Sequence, residues 1–98
     1  FAFVLAIRGD VRIRHSHTTD RGRVIRFVVQ LETLVQGKWR PVVRYDSAHG
    51  QSHRHRFRPR KGQHKEILGM SFEDALTFAE GDLRQNWEQL LLEFEEGE

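Results

Sequence analysis

The sequence contains no cysteine, only two prolines and no apolar run long enough to cross a bilayer. Without cysteine, a disulfide scaffold and zinc sites built from thiolates are excluded. The longest apolar run, residues 1–7, is far shorter than the ~20 residues of a transmembrane helix. It also lacks the basic lead-in and the cleavage motif of a secretory signal, although the missing initiator methionine fits a processed or truncated start. We therefore expect no membrane association and a cytoplasmic location.

The length of 98 residues leaves room for one hydrophobic core, so a single domain spanning residues 1–98 is predicted. Hydrophobic residues make up 38% of the chain, which is low for a globular domain. Ten aromatic residues are nevertheless too many for a disordered chain, and folding is therefore expected.

The charges are segregated along the chain, although the net charge is only +2. Residues 1–70 carry 15 of the 16 basic residues, whereas residues 71–98 carry nine of the 14 acidic ones. Thirteen of the basic residues are arginine, whose planar fork of donors matches a phosphate group. This pattern favours nucleic-acid binding, and the alternative is an arginine-rich surface of the kind found in heat-adapted proteins.

The first part of the chain alternates between apolar and polar residues, which is typical of β-strands. Each alternating run is followed by a turn signal that contains glycine or proline. The runs cover residues 11–17, 24–33, 39–46 and 53–58, and residues 1–7 form a candidate fifth strand. The pattern predicts an antiparallel β-meander of four to five strands over residues 3–58, followed by a loop over residues 59–70.

The last part of the chain has the three- and four-residue spacing of an amphipathic helix. Ser71 is a suitable N-cap, and Glu73 and Asp74 lie in the first turn, where the helix dipole favours acidic residues. A helix over residues 71–95 is predicted, with an apolar stripe of Phe72, Leu76, Ala79, Leu83, Trp87, Leu90 and Phe94. The predicted fold class is α+β, with this long C-terminal helix packed on one face of the sheet.

The hairpin registers are predicted from three-residue loops at residues 19–21 and 35–37. They place Phe27 opposite Ile13 and Val29 opposite Val43, and they form the ion pairs Arg26–Asp46 and Glu32–Arg40. A two-residue loop at Gln36–Gly37 is rejected, because a one-residue slip would bury charged side chains. The predicted core is Ile13, Ile25, Phe27, Val29, Leu31, Val43, Tyr45, Phe57, Leu76, Leu83, Trp87 and Leu90.

The sheet face away from the helix is expected to be rich in arginine. If Phe57 points to the helix, the alternate residues of its strand point away from it. The predicted nucleic-acid-binding residues are Arg12, Arg14, Arg26, Arg44, Arg54, Arg56 and Arg58, with Arg40 beside them. Only Glu32 and Asp46 are available there as partners, so the face fits an anionic ligand, unless its side chains simply extend into water.

Four polar residues near the third turn form a candidate catalytic cluster: Asp46, His49, His53 and His55. Two imidazoles and an arginine suffice for RNA cleavage without a metal, because imidazole titrates near neutral pH. In that interpretation His53 is the base or acid, His49 its partner, and Asp46 orients one ring. The alternatives are a metal site built on the same residues and a purely structural role in the turn.

Several segments together resemble a family of small, uncharacterised bacterial and archaeal proteins, which is similar in turn to the TumE-like toxins of toxin–antitoxin systems. The segments are FVVQLE at 27–32, GKW at 37–39, VRYDSAHG at 43–50 followed by His53, ALTFA at 75–79, DL at 82–83 and NWE at 86–88. The resemblance covers residues 24–95, and the chain departs from it at His55, where the family has an acidic residue. It implies RNA as a target and an antitoxin protein as a partner.

The sequence therefore predicts an RNA-directed, toxin-like protein, acting as a metal-independent ribonuclease, with no cofactor. The first alternative is a non-enzymatic nucleic-acid-binding or regulatory module that uses the same arginine face. The second is a self-associating protein, whose acidic helix binds the basic sheet of another copy in a homo-oligomer.

Overall fold

The computed structural model describes residues 1–97 as one antiparallel sheet of six strands and one long C-terminal helix. The strands follow each other in chain order across the sheet, which confirms the predicted α+β meander. Their bounds are β1 (Ala2–Arg8), β2 (Val11–Asp20), β3 (Arg23–Val35), β4 (Lys38–Asp46), β5 (His53–Arg58) and β6 (Gly62–Ile67), with a 3-10 turn at Ala48–Gly50 and the helix α1 (Phe72–Glu96).

The strand count is six rather than four to five, because the predicted loop over residues 59–70 contains β6. Five of the six residues of β6 are exposed, and the strand lies at the edge of the sheet. An edge strand with so little buried surface has no apolar alternation, so its sequence carries no strand signal. The candidate strand at residues 1–7 is confirmed as β1, the opposite edge.

Helix α1 begins and ends close to the predicted bounds. The Ser71 hydroxyl accepts a hydrogen bond from the Asp74 amide at 3.1 Å, which confirms the predicted N-cap. The residues that contact the sheet most closely are small near the start of the helix and large near its end: Ala75, Ala79, Leu83, Leu91 and Phe94. The rest of the predicted stripe, Phe72, Leu76, Trp87 and Leu90, is half-buried on either side of them.

Both long hairpins close with two-residue turns, so the prediction of three-residue loops is wrong. Arg21–Gly22 and Gln36–Gly37 have the same conformation, with φ of 51° followed by 78°. Two successive left-handed residues make a type I′ turn, whose twist matches the twist of the flanking strands. Glycine at the second position removes the steric cost of that conformation.

A β-bulge in each hairpin then restores the expected faces. Ile25 is the extra residue on β3, between the pairs Thr18–Arg26 and Thr19–Val24. Val42 is the extra residue on β4, between the partners of Leu31 and Glu32. Each bulge adds one residue to a strand, which reverses the face change that a two-residue turn would otherwise cause.

The cross-strand partners consequently differ from the predicted ones, although the faces agree beyond each bulge. Between the turn and the bulge on β4 the faces are reversed, so Trp39 lies opposite Leu34 and Arg40 opposite the buried Thr33. Phe27 lies opposite His17 rather than Ile13, and Val29 lies opposite Tyr45 rather than Val43. The predicted ion pairs Arg26–Asp46 and Glu32–Arg40 are absent from residues 1–97, because their members are no longer neighbours.

The core lies between the helix and the middle of the sheet. Of the predicted core, Ile13, Phe27, Val29, Leu31, Val43, Tyr45 and Leu83 are buried, and Leu76, Trp87 and Leu90 are half-buried. Phe57 is half-buried too, but it lies on the face of β5 that carries His55, so its predicted orientation towards the helix is wrong. The prediction that Ile25 belongs to the core is wrong, because its side chain points from the bulge to solvent and is 52% exposed. Within residues 1–97, no helix is both long enough and apolar enough to cross a membrane.

The sheet has a covered face and an open face. Helix α1 packs chiefly on β3 and β4 and only slightly on β5. We use "open face" for the side chains on the other side of the sheet, which alternate with the core residues: Ala2, Val4, Arg12, Arg14, Ser16, Arg26, Val28, Gln30, Glu32, Trp39, Arg44, Asp46, His53, His55, Phe57, Lys65 and Ile67.

Candidate functional site

The open face carries four of the seven arginines that the sequence predicts to bind nucleic acid. Arg12 and Arg14 project from β2, Arg26 from β3 and Arg44 from β4. Because Phe27, Val29 and Leu31 are buried under the helix, the alternation of β2, β3 and β4 directs these arginines away from it.

Arg54, Arg56 and Arg58 lie on the helix side, so the prediction that they point to the open face is wrong. In register, Arg54 is opposite Tyr45 and Arg56 is opposite Val43, and both of these partners belong to the core. Arg54 donates to Glu66 at 2.6 Å and to the Tyr45 hydroxyl at 3.3 Å. Burial lowers the pKa of Arg54, but its bonds to Tyr45 and Glu66 outweigh this effect and raise it.

The side chains of β5 face opposite to the prediction because of the turn that precedes the strand. The 3-10 turn returns the chain so that His53 pairs with Asp46, which lies on the open face because Tyr45 is in the core. The more apolar side of β5, formed by His53, His55 and Phe57, therefore faces away from the helix. The arginines are tolerated on the other side because the helix barely covers β5.

Glu32 holds the two arginines of β2. It is buried, and it accepts from Arg12 at 2.6 Å and lies 3.6 Å from Arg14. The guanidinium of Arg12 also stacks 4.0 Å from the centroid of the Trp39 ring. Arg12 is therefore occupied within the protein, whereas the Arg14 side chain is 58% exposed.

Arg44 is held in place without being neutralised. Its Nε donates to the Gln30 amide oxygen at 2.8 Å, and Gln30 in turn donates to Glu32 at 2.5 Å. The guanidinium lies 5.7 Å from the centroid of the Phe57 ring. No carboxylate in residues 1–97 forms an ion pair with Arg44, so its terminal nitrogens retain their capacity to bind an anion.

A groove of about 500 Å³ lies between the first and fourth strands of the open face. Arg14 and Arg44 contribute its charges, and Val4 and Val28 contribute exposed apolar surface. A site that combines guanidinium groups with apolar walls suits a ligand that is both anionic and partly apolar.

Asp46, His53 and His55 come together at the end of the open face, as the sequence predicts. The Asp46 carboxylate lies 3.6 Å from His53 Nδ1 and 3.5 Å from His55 Nε2, so it stands between the two imidazoles. His53 is 4% exposed, and its Nδ1 has no hydrogen-bond partner in residues 1–97. His55 is less enclosed, stacks on Phe57 and contacts Gln63 at 3.4 Å.

His49 is the predicted catalytic residue that the structure does not bring into this cluster. It is exposed in the 3-10 turn with φ of 58°, and no hydrogen bond or ion pair within the described residues joins it to Asp46, His53 or His55. It lines a groove with Arg26 and Asp46, whereas His53 and His55 do not line this groove. Within the part of the chain described, no group of three acidic or histidine side chains is arranged to hold a metal ion.

Sequence reasoning missed four open-face residues that contribute to this site: Trp39, Phe57 and Gln30, which stack on or bond to arginines, and Lys65 of β6. The predicted three-residue loop at residues 35–37 places Trp39 opposite Thr33 on the covered face, whereas it lies opposite Leu34. The alternation of β5 likewise predicts Phe57 on the covered face. Lys65 lies opposite His55, in a segment without a strand signal. Only the β4–β5 and β5–β6 registers reveal its position.

A second histidine cluster lies at the opposite edge, between β2 and the helix. His15 Nδ1 donates to the Glu80 carboxylate, and His15 and His17 share a hydrogen bond of 2.6 Å. Phe3 stacks on the His15 ring at 4.7 Å between centroids. Burial alone raises the pKa of Glu80, but hydrogen bonds from Arg84 and His15 outweigh it and lower the pKa.

Replacing Glu80 by glutamine is expected to lower the free energy of unfolding at pH 7 by about 1–3 kcal/mol, because a part-buried charged hydrogen bond is lost. The pKa of Glu80 in the folded protein is below its ordinary value of 4.5. The ionised Glu80 therefore contributes its full share of the free energy of unfolding above pH 4.5, and this share is lost as the pH falls through the pKa of the folded state. Urea unfolding at pH 7 and at about pH 3 measures this, with the exposed Glu88→Gln as control. If the free energies of unfolding of Glu80→Gln and the unmodified protein differed equally at both pH values, this prediction would be contradicted.

Comparison with known proteins gives a family but no relative of established activity. Neither the curated proteins nor the solved structures contain a match to this chain. The model of the family DUF7718, described as a domain of unknown function, matches residues 2–98. Since this match covers the sheet and the helix together, the chain belongs to the DUF7718 family.

Proposed function

We propose that this protein binds RNA on the open face of its sheet, as an RNA-directed protein of the toxin-like kind that the sequence resembles. The observation that carries the proposal is the state of Arg44, which is positioned by Gln30 and stacked near Phe57 but not neutralised. Arg44 therefore presents a fixed positive charge that a phosphate group can neutralise.

The other side chains of the open face support an RNA ligand over a simple anion. Arg14 and Lys65 are exposed and supply further positive charge. Phe57 and Trp39 supply aromatic surface next to arginines, on which unpaired bases stack. The long acidic helix lies on the other side of the sheet, so it does not cancel the charge of the open face.

Salt dependence tests RNA binding directly. With three or four phosphates bound, the affinity for a single-stranded RNA is expected to fall about 20- to 50-fold between 50 and 200 mM salt. Fluorescence anisotropy with a labelled oligonucleotide measures this, and Arg84→Gln on the helix is the matched control, which should change nothing. If the protein fails to bind RNA at 50 mM salt, the proposal is wrong.

The alternative of self-association gives a different result in the same salt range. An oligomer held by the acidic helix of one copy and the open face of another would dissociate as the salt concentration rises. Sedimentation without RNA separates the two, because an RNA-binding monomer keeps its sedimentation coefficient across the range.

A second candidate function, cleavage of the bound RNA, is favoured by the placement of Asp46 between two imidazoles. His55 is the candidate base, since it is less enclosed than His53 and lies opposite Arg44. It would take the proton of a 2′-hydroxyl, whose oxygen attacks the adjacent phosphorus, while the 5′-oxygen leaves with a proton from solvent. Arg44 would stabilise the charge on the phosphorane.

A further inference from the structure

One line of directly opposed residues crosses all six strands of the open face. Val4 pairs with Arg14, Arg14 with Gln30, Gln30 with Arg44, Arg44 with His55, and His55 with Lys65. We call these six residues the transverse row. It contains two arginines, one lysine, one histidine and no acidic residue.

The lines on either side of the transverse row differ from it in charge. On one side, the line Ala2, Ser16, Val28, Asp46, His53 and Ile67 contains an aspartate. On the other side, Glu32 neutralises Arg12. A polyanion that followed β3 or β4 would pass directly over Glu32 or Asp46. The transverse row contains no carboxylate, and these two acidic residues lie beside it, 3.6 Å from Arg14 and 3.5 Å from His55.

The length of the transverse row suits a short stretch of nucleic acid. Neighbouring strands are ~4.8 Å apart, so four steps separate Arg14 on β2 from Lys65 on β6 by about 19 Å. Arg44 lies midway between them, which spaces the three cations along the path. A span of this size corresponds to on the order of four nucleotides, the lower end of the range for single-strand-binding sheets.

The apolar neighbours of the row favour a single strand over a duplex. Val4 and Val28 are 57% and 36% exposed, and they line the groove with Arg14 and Arg44. Phe57 lies on the other side of Arg44. Unpaired bases cover such surfaces, whereas the bases of a duplex are already stacked and only its phosphates would make contact.

We propose that a single strand of RNA crosses the sheet along the transverse row, perpendicular to the β-strands, with its phosphates bound by Arg14, Arg44 and Lys65. This proposal rests on the RNA binding argued above. It assigns a path, a length and a strandedness to the ligand, and it places one ribose beside His55.

The test compares Arg14→Gln, Arg44→Gln and Lys65→Gln with Arg26→Gln, which is on the open face but outside the row. With a single-stranded RNA of about eight nucleotides, each row variant should reduce the log–log salt slope by about 0.7, the contribution of one phosphate. Arg26→Gln should leave the slope unchanged. Melting temperatures confirm that each variant is folded.

Oligonucleotide length tests the path itself. A strand of about two nucleotides is too short to contact both ends of the row, so it should be insensitive to at least one of Arg14→Gln and Lys65→Gln. A duplex of the same sequence should bind more weakly than the single strand. Equal losses for Arg26→Gln and Arg14→Gln, or tighter binding of the duplex, would overturn the path and leave RNA binding standing. If no RNA binds the unmodified protein, the proposed function itself fails.

Discussion

Replacing His55 by alanine is expected to lower the rate of RNA cleavage by about 10²–10⁴, the usual contribution of one acid–base group. The side chain stands on the open face, so the loss is expected in the folded protein. Asp46→Asn should have a smaller effect in the same direction, because the amide keeps the shape of the side chain but removes the negative charge that lies 3.5 Å from His55 Nε2. Cleavage of a labelled RNA under single-turnover conditions measures both rates.

The two other histidines near Asp46 serve as controls with different expected results. His49→Ala should cleave at the unmodified rate, because His49 is exposed in the turn outside the cluster. His53→Ala should lower the melting temperature more than His55→Ala, since His53 is the more deeply buried ring. Equal cleavage by folded His55→Ala would reject the catalytic role and leave an RNA-binding protein. Loss of activity only with a chelator would favour metal-dependent cleavage.

Replacing Phe27 by alanine is expected to cost about 3–5 kcal/mol of the free energy of unfolding. Phe27 is 1% exposed and packs against Phe72 at the start of the helix, with 5.9 Å between the ring centroids. In a domain of this size the loss corresponds to a decrease in melting temperature of at least about 12 °C. Denaturant unfolding gives the free energy directly.

The matched control is Ile25→Ala, two residues earlier on the same strand. Ile25 is the extra residue of the β-bulge and points to solvent, so its loss is expected to cost less than about 0.5 kcal/mol. An unbroken strand would place Ile25 on the core face with Phe27, and the two losses would then be of similar size. Comparable destabilisation by both substitutions would therefore contradict the bulge.

The faces of the first strands and the bounds of the helix are predictable from the sequence because both depend on local periodicity. The alternation around Val29 and Leu31 separates core from open face whatever the cross-strand partners are. Ser71, Ala79 and Leu83 define the start and the contact side of α1 through spacing alone. The predicted open-face position of Arg12, Arg14, Arg26 and Arg44 is confirmed for the same reason. Arg40 is the exception, because the bulge at Val42 places it opposite the buried Thr33.

Register was predicted wrongly where backbone conformation, rather than side-chain pattern, determines it. The type I′ turns at Arg21–Gly22 and Gln36–Gly37 each shift the pairing by one residue, and the bulges at Ile25 and Val42 shift it back. Two compensating shifts leave the polarity pattern almost unchanged, so the sequence alone does not distinguish them from a regular hairpin.

The amino-acid sequence alone was sufficient to predict the α+β fold class and the arginine-rich open face of the first strands. The tertiary structure was needed to establish which way β5 faces, because this depends on the turn that pairs His53 with Asp46. It also aligned Arg14, Arg44 and Lys65 in one row, because residues from three separate strands become neighbours only when every intervening register is set. Local periodicity carries information along one strand, whereas a binding path across the sheet is a property of all six together.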